Sequence, residues 1–401
     1  MVYKKITWYV IVRNWGGSVR NDEASLPARQ AIPCSRKPFF TSLDCFTPPH
    51  KTTLQPACPV GRFAMTVSFW LLVFVAVGFL LSGCGEEKEE CAFTPEISDI
   101  AVDLEFESLA DTLVKLSSKE QLIKLLDKHR VLRDHFFRRD QYPNDSVFVN
   151  QLYSRFTNPH IDTLLMETRR VFGNEGELKK EFTEAFKNLR YYYPEIQLPK
   201  IETVISGLDN DMYVSDSLII ISLDYYLGPG AKYRPNMYDY LLRQYGKENI
   251  VPSCMLIYGI DTRLNTVNPE DKTVLADMIA YGKSFYFAKQ MMPCTHDSIF
   301  IWYTDEEIRG ARKNQDLIWA RFIEDKLLYE TSHVMKQKYL GDRPKTVEVG
   351  EKCPGRIAQW VGWEIVKKYM ETHPEVSLSV LMKNENADRI FKESRYKPER
   401  R

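Results

Sequence analysis

The sequence predicts a predominantly helical α+β fold. Three observations carry that expectation: helically spaced apolar residues before residue 190 and after residue 268, strand-like runs confined to residues 200–227, and an ordinary globular composition. The chain has 401 residues, 44% apolar and 27% charged, which suffices for one or two cores and excludes disordered, collagenous and polytopic membrane classes. Fifty-four basic residues balance fifty-four acidic ones, which argues against a nucleic-acid binder working through bulk positive charge. The balance is uneven along the chain. Residues 1–84 hold nine Lys or Arg against three Asp or Glu, leaving forty-five against fifty-one for the remainder.

Residues 1–59 contain Trp8, Trp15, Cys34, Cys45 and Cys58 but neither helical nor strand periodicity, and read as an extension ahead of a wrongly assigned start. Residues 60–84 read as a signal peptide. Arg62 precedes a stretch from Phe63 to Gly85 without a charged residue, and Val67 to Leu81 form its apolar block. A signal must stand near the start of a nascent chain, so Met65 or Val60 is the expected first residue. The stretch closes with Leu81-Ser82-Gly83-Cys84, which resembles a bacterial lipobox. Small residues there let a peptidase approach the backbone, and the Cys84 thiol takes a diacylglyceryl group. A membrane helix is the competing account, because 23 uncharged residues could cross a hydrocarbon core of about 30 Å, yet it gives no reason for Leu-Ser-Gly-Cys at the end. Two or three acyl chains would hold the protein on a membrane where a single chain is only marginally retained.

Residues 85–93 form an acidic tether with Glu86, Glu87, Lys88, Glu89 and Glu90, similar to the acidic tract that directs some lipoproteins of Bacteroidetes to the cell surface. Beyond Cys84, an oxidising compartment holds Cys91, Cys254, Cys294 and Cys353. Four cysteines allow three pairings, and the sequence does not choose among them.

Residues 94–398 read as one helical α+β domain. Ser117 with Glu120 forms a capping-box pattern opening a helix with Leu122, Leu125, Leu126 and His129 on one face. Leu178, Phe182, Ala185, Phe186 and Leu189 repeat that spacing before Pro194. His129 and His135 lie about 240° apart around a helix and cannot share a metal locally, so they read as a core and a surface histidine. Ile201–Ile205, Met212–Val214 and Leu218–Leu223 predict a small sheet with one buried strand. Between them, Asp209-Asn210-Asp211 reads as a turn, since a calcium loop counted from Asp209 would need Gly and Glu where Val214 and Ile220 stand. Asn268-Pro269-Glu270-Asp271 predicts a helix start ahead of Leu275, Met278, Ile279, Gly282 and Phe285. Thr304 with Glu307 gives another capping box, followed by Ile318, Trp319, Phe322, Ile323 and Leu327. Pro354-Gly355-Arg356 opens a segment with Trp360, Val361, Trp363, Ile365 and Val366, apolar almost all round and therefore central. Gly362 inside it implies close approach of a neighbouring backbone.

Catalytic motifs are missing from the sequence: His-Glu-x-x-His, paired Cys-x-x-Cys, Gly-x-Ser-x-Gly and phosphate-binding glycine loops all fail to occur. Glu330 and His333 make a single Glu-x-x-His, whereas a di-metal bundle needs two. Neither a cofactor nor a metal is expected. Arg356 and Glu364 stand two turns apart on the apolar segment and must be paired, either structurally or in a polar patch that a partner engages. Arg356, Trp360, Trp363, Tyr281 and Lys283 are the candidate partner-binding residues.

The chain resembles the gliding-motility lipoproteins of the GldB type from Bacteroidetes over most of residues 95–398. The resemblance rests on Ser215-Asp216-Ser217-Leu218-Ile219-Ile220-Ile221-Ser222-Leu223-Asp224-Tyr225-Tyr226-Leu227-Gly228, Asp277-Met278-Ile279-Ala280-Tyr281-Gly282-Lys283 and Ile318-Trp319-Ala320. It continues in Pro354-Gly355-Arg356-Ile357, Trp360-Val361-Gly362-Trp363-Glu364-Ile365-Val366 and Ser394-Arg395-Tyr396-Lys397-Pro398. Ala358 and Gln359 depart from the Gly and Val of relatives. The resemblance implies a cell-envelope protein anchored through acylated Cys84, with the outer membrane as the expected anchor and the body in the periplasm or at the cell surface. Its expected partners are envelope motility or secretion proteins, with no nucleic acid. Non-gliding organisms also carry members, so motility does not follow. A more distant resemblance links the chain to zinc-protease-like proteins of zincin fold. Tyr281-Gly282 stands where they carry Glu-Gly, and Ile250–Asn265 holds no histidine, which implies a degenerate zincin scaffold without its metal. A non-catalytic, partner-binding lipoprotein is the expected function. A peptidase with an unrecognised site and a surface lipoprotein binding sugar or peptide stay open as alternatives, the latter supported only by 12% aromatic content.

Overall fold

The computed structural model describes Cys91 and residues 95–398; the expectations for residues 1–84, Cys84 among them, and for the acidic run lie outside the described residues. Four strands form one mixed sheet in the order β1-β2-β4-β3. β1 (Phe106–Ser108), β2 (Lys200–Val204) and β4 (Leu218–Ser222) run parallel, and β3 (Met212–Val214) pairs antiparallel with β4. Ser215 sets the β3–β4 hairpin by donating its N–H and its hydroxyl to the Leu218 carbonyl. β4 then returns between β2 and β3.

The β1–β2 crossover carries α1 (Ala110–Val114), α2 (Lys119–Lys128), a π-helical turn (Leu132–Phe136), α3 (Asp145–Phe156), α4 (Ile161–Phe172) and α5 (Gly176–Tyr192). After the sheet come α6 (Asp239–Leu242), α7 (Ile250–Ile260), α8 (Val274–Met291), α9 (Asp297–Ile301), α10 (Asp305–Lys313) and α11 (Gln315–Glu324). The chain closes with α12 (His333–Leu340), α13 (Ile357–Thr372), α14 (Leu378–Lys383) and α15 (Ala387–Ser394). This is the predominantly helical α+β fold that the sequence predicts.

Strand alternation sends side chains to two different cores. Val204, Tyr213 and Ile220 pack under Leu122 and Leu126 of α2 and Phe148 of α3. Ile201, Ile219 and Ile221 face the larger core built on α5, α7, α8 and α13. With both faces covered, β4 can be the apolar run Leu-Ile-Ile-Ile-Ser. The centre of the large core is the packing of α8 on α13. A Cβ added at Gly282 would meet the Gly362 carbonyl oxygen at 2.3 Å, and one at Gly362 would meet the Met278 oxygen at 2.0 Å. The backbone approach read from Gly362 is therefore present, and Phe285 stacks on Trp363 beside it at 5.2 Å between ring centres.

Three local expectations change. β1 carries no strand signal in Phe-Glu-Ser yet completes the parallel sheet. The α2 cap is Ser118, which accepts from the Gln121 N–H, while Ser117 donates to the Gln121 side chain, so Glu120 is not the box partner. α8 begins at Thr273, whose hydroxyl accepts from Ala276; Asn268–Asp271 is a separate turn, because Asp271 turns its carboxylate onto Thr273. The Thr304–Glu307 capping box is formed in both halves. Cys91 and Cys294 form a disulfide across 203 residues, and Cys254 and Cys353 remain thiols.

Candidate functional site

Parallel pairing places Glu107 of β1 directly beside Glu202 of β2. Both point to the face that also carries Val204, Tyr213 and Ile220, so two carboxylates stand shoulder to shoulder on an otherwise apolar surface. Neighbouring like charges across strands are destabilising, and Glu202 is only 3% exposed, so cations must gather there. Lys200, two residues back along β2, lies 3.2 Å from both Glu202 and Glu105 and bonds Glu107. Burial opposes its charge, but the hydrogen bonds to Glu107, Glu202 and Glu105 prevail and raise the ammonium's pKa above the ordinary lysine value. Conversely, the Lys200 bond holds the Glu107 carboxyl below its usual range.

The last member comes from above the sheet. His129 ends α2, one turn before the π-helical turn, and its Nδ1 lies 2.9 Å from Glu202 Oε1. A carboxylate only accepts, so Nδ1 donates this bond and Nε2 faces away from it. Nε2 is buried without a hydrogen-bond partner, 3.9 Å from Glu107 Oε1, and Glu202 Oε2 is likewise unpartnered. His129 is thus the core histidine that its helix spacing predicts, whereas His135 is half-buried and stacks on Tyr213.

The candidate partner-binding residues instead meet inside the large core. Trp360 and Trp363 have no exposed surface, Lys283 is 1% exposed and Arg356 6%, while Tyr281 is partly buried against the same cluster. Arg356 caps α13 with a left-handed backbone, φ 58°, and reaches the Ile301 carbonyl at 3.2 Å, Asp342 and the face of Trp302. Glu364 pairs with Lys367 at 2.6 Å rather than with Arg356. The Lys283 ammonium donates to the carbonyls of Thr266, Met382 and Asn384, tying α8 to the end of α14. Burial pushes its pKa down to about 7, against the opposing pull of Glu385. These side chains lock helices together, and four of the five are buried.

Asp209-Asn210-Asp211 is a turn, as its residue types predict. Gly207 and Leu208 take positive φ values of 72° and 61°, and buried Asp224 accepts the N–H groups of Ser206 and Leu208 to hold it. Glu330 is partly buried and His333 exposed at the start of α12.

The chemistry available on the β1–β2 face is cation binding by one imidazole and adjacent carboxylates. The spacings that bring it together, 22 residues from Glu107 to His129 and 73 from His129 to Glu202, carry no local signature. A search of curated proteins finds no match, and neither does a search of solved structures. A family model does match, that of gliding motility protein GldB, over residues 90–398. That match takes in every described element from β1 to α15, and the chain belongs to the GldB gliding-motility family.

Proposed function

We propose that the protein is a lipid-anchored component of the cell envelope that serves gliding motility or its secretion machinery by binding other proteins, without catalysis of its own. The observation that carries this reading is the order of segments: Leu81-Ser82-Gly83-Cys84, an acidic run, then a family match from residue 90 to residue 398. The family supplies the link to motility and the envelope. The lipobox supplies the means of staying there, because several acyl chains on one residue retain a protein that a single chain would not. Among the described residues no helix is long and apolar enough to cross a membrane. The non-catalytic reading is supported by the sequence, in which recognisable nucleophile and hydrolytic metal motifs do not occur.

Metabolic labelling with a clickable palmitate analogue tests the anchor. The native protein is expected to be marked and Cys84→Ala to stay unmarked; an unmarked native protein overturns the reading. Crosslinking in intact cells tests the role. Motility or secretion components of the envelope are expected on the native protein and lost from Cys84→Ala.

A further inference from the structure

We propose that His129 and Glu107 bind a divalent first-row transition-metal ion, with Glu202 holding the imidazole from behind and zinc the best match to a nitrogen and oxygen donor set. The site goes beyond the lipid anchor and the partner, and depends on neither.

One donor atom from each of the three residues lies within 4.8 Å of the other two. The ion's place is set by the gap between His129 Nε2 and Glu107 Oε1, 3.9 Å apart. An ion bound at about 2.0–2.2 Å from nitrogen and oxygen fits between atoms so separated. Glu202 already does what a carboxylate behind a metal-bound histidine does: it accepts the hydrogen bond from Nδ1, fixes the ring and leaves Nε2 facing the gap. The independent sign of an intended ligand is the state of that nitrogen. His129 is 6% exposed, and a buried nitrogen with no partner is destabilising unless something fills the gap.

Charge decides what fills it. Glu105, Glu107 and Glu202 face Lys200, held deep in the network, and Lys128, whose side chain is 68% exposed. The Lys128 ammonium lies 3.3 Å from Glu107 Oε1, the oxygen the ion needs. It can swing into water at little cost, because exposed pairs contribute little. With Lys128 gone, two net negative charges remain, which a divalent ion neutralises. Magnesium and calcium ask for six or more oxygens and match an imidazole poorly. The bound ion would clamp the end of α2 to β1 and β2, next to the π-helical turn.

The test uses the full chain, stripped with EDTA and titrated with Zn²⁺ and, as a spectroscopic probe, Co²⁺. One equivalent is expected, with a Co²⁺ spectrum of nitrogen and oxygen ligands and no response to Mg²⁺. Glu107→Gln and His129→Gln are expected to weaken binding by at least about tenfold. Lys128→Met is expected to tighten it about tenfold by removing the competing ammonium. Glu107 is partly exposed, so Glu107→Gln serves if His129→Gln fails to fold, with circular dichroism checking each variant. No uptake by the native chain, unchanged affinity in folded Glu107→Gln or in Lys128→Met, or a thiolate-to-Co²⁺ charge-transfer band that puts the ion on cysteines would each overturn the site.

Discussion

Burial, reinforced by Glu177, Glu184 and Glu248 and opposed by Lys247, raises the Glu181 carboxyl from 4.5 to about 7. A raised folded-state value means that Glu181 contributes fully below about pH 4.5, and that this contribution is lost as pH rises through about 7. Glu181→Gln removes the loss. The side chain keeps some contact with water, so screening reduces the effect to about 1 kcal/mol. Urea midpoints of the two proteins are expected to coincide near pH 4.5 and to favour the variant at pH 8. A midpoint difference that does not change with pH would refute the assignment. Arg356 poses a different residue-scale question, because its role rests on shape as much as on charge. Its guanidinium lies 4.4 Å from the Trp302 ring centre while also meeting Asp342 and the Ile301 carbonyl. Lysine cannot make this stacked, forked arrangement, so Arg356→Lys should cost about 2 kcal/mol in denaturant titrations although the charge is kept.

At the scale of elements, α8 and α13 cross at two glycines, and the reciprocal 2.3 and 2.0 Å approaches leave no room for even one methyl. Gly362→Ala should push the helices apart and cost about 3 kcal/mol or more, whereas Gly310→Ala on α10, where a Cβ meets nothing within 4 Å, should stabilise by up to about 1 kcal/mol. Thermal melts of the pair check this, and equal shifts would contradict the crossing. The crossing was legible because glycine weakens the interior of a long apolar helix unless a neighbouring backbone needs the space of its missing side chain. α5 was legible too: Leu178, Phe182, Ala185, Phe186 and Leu189 keep one stripe and all are buried. β1 was not, since three residues with a central glutamate lack periodicity, and its strand identity comes from pairing with β2 almost a hundred residues on. The same gap hides the cluster of Glu107, His129 and Glu202, which topology alone assembles. Trp360 and Trp363 show the opposite case. An all-round apolar helix points to the centre of a core, and its tryptophans are fully buried there.

For the whole molecule, the Cys91–Cys294 disulfide ties residue 91 to the loop between α8 and α9. On the chain-entropy account, closing 203 residues is worth about 5 kcal/mol, so Cys294→Ser is expected to unfold at clearly lower denaturant. The larger consequence is spatial and rests on acylation of Cys84. The pinned body begins seven residues after the lipid-bearing cysteine, and at about 3.4 Å per residue the tether then reaches no more than about 24 Å. Opening the bridge moves the first fixed point to buried Pro95, eleven residues along, and extends the reach to about 37 Å. Neutron reflectometry of the lipidated chain on a supported bilayer reads this separation directly. The near edge of the oxidised protein's density is expected within about 24 Å of the head groups, and that of Cys294→Ser to spread farther out. Identical profiles would mean that the body rests on the membrane by its own contacts, and that the bridge holds the fold together without setting its distance.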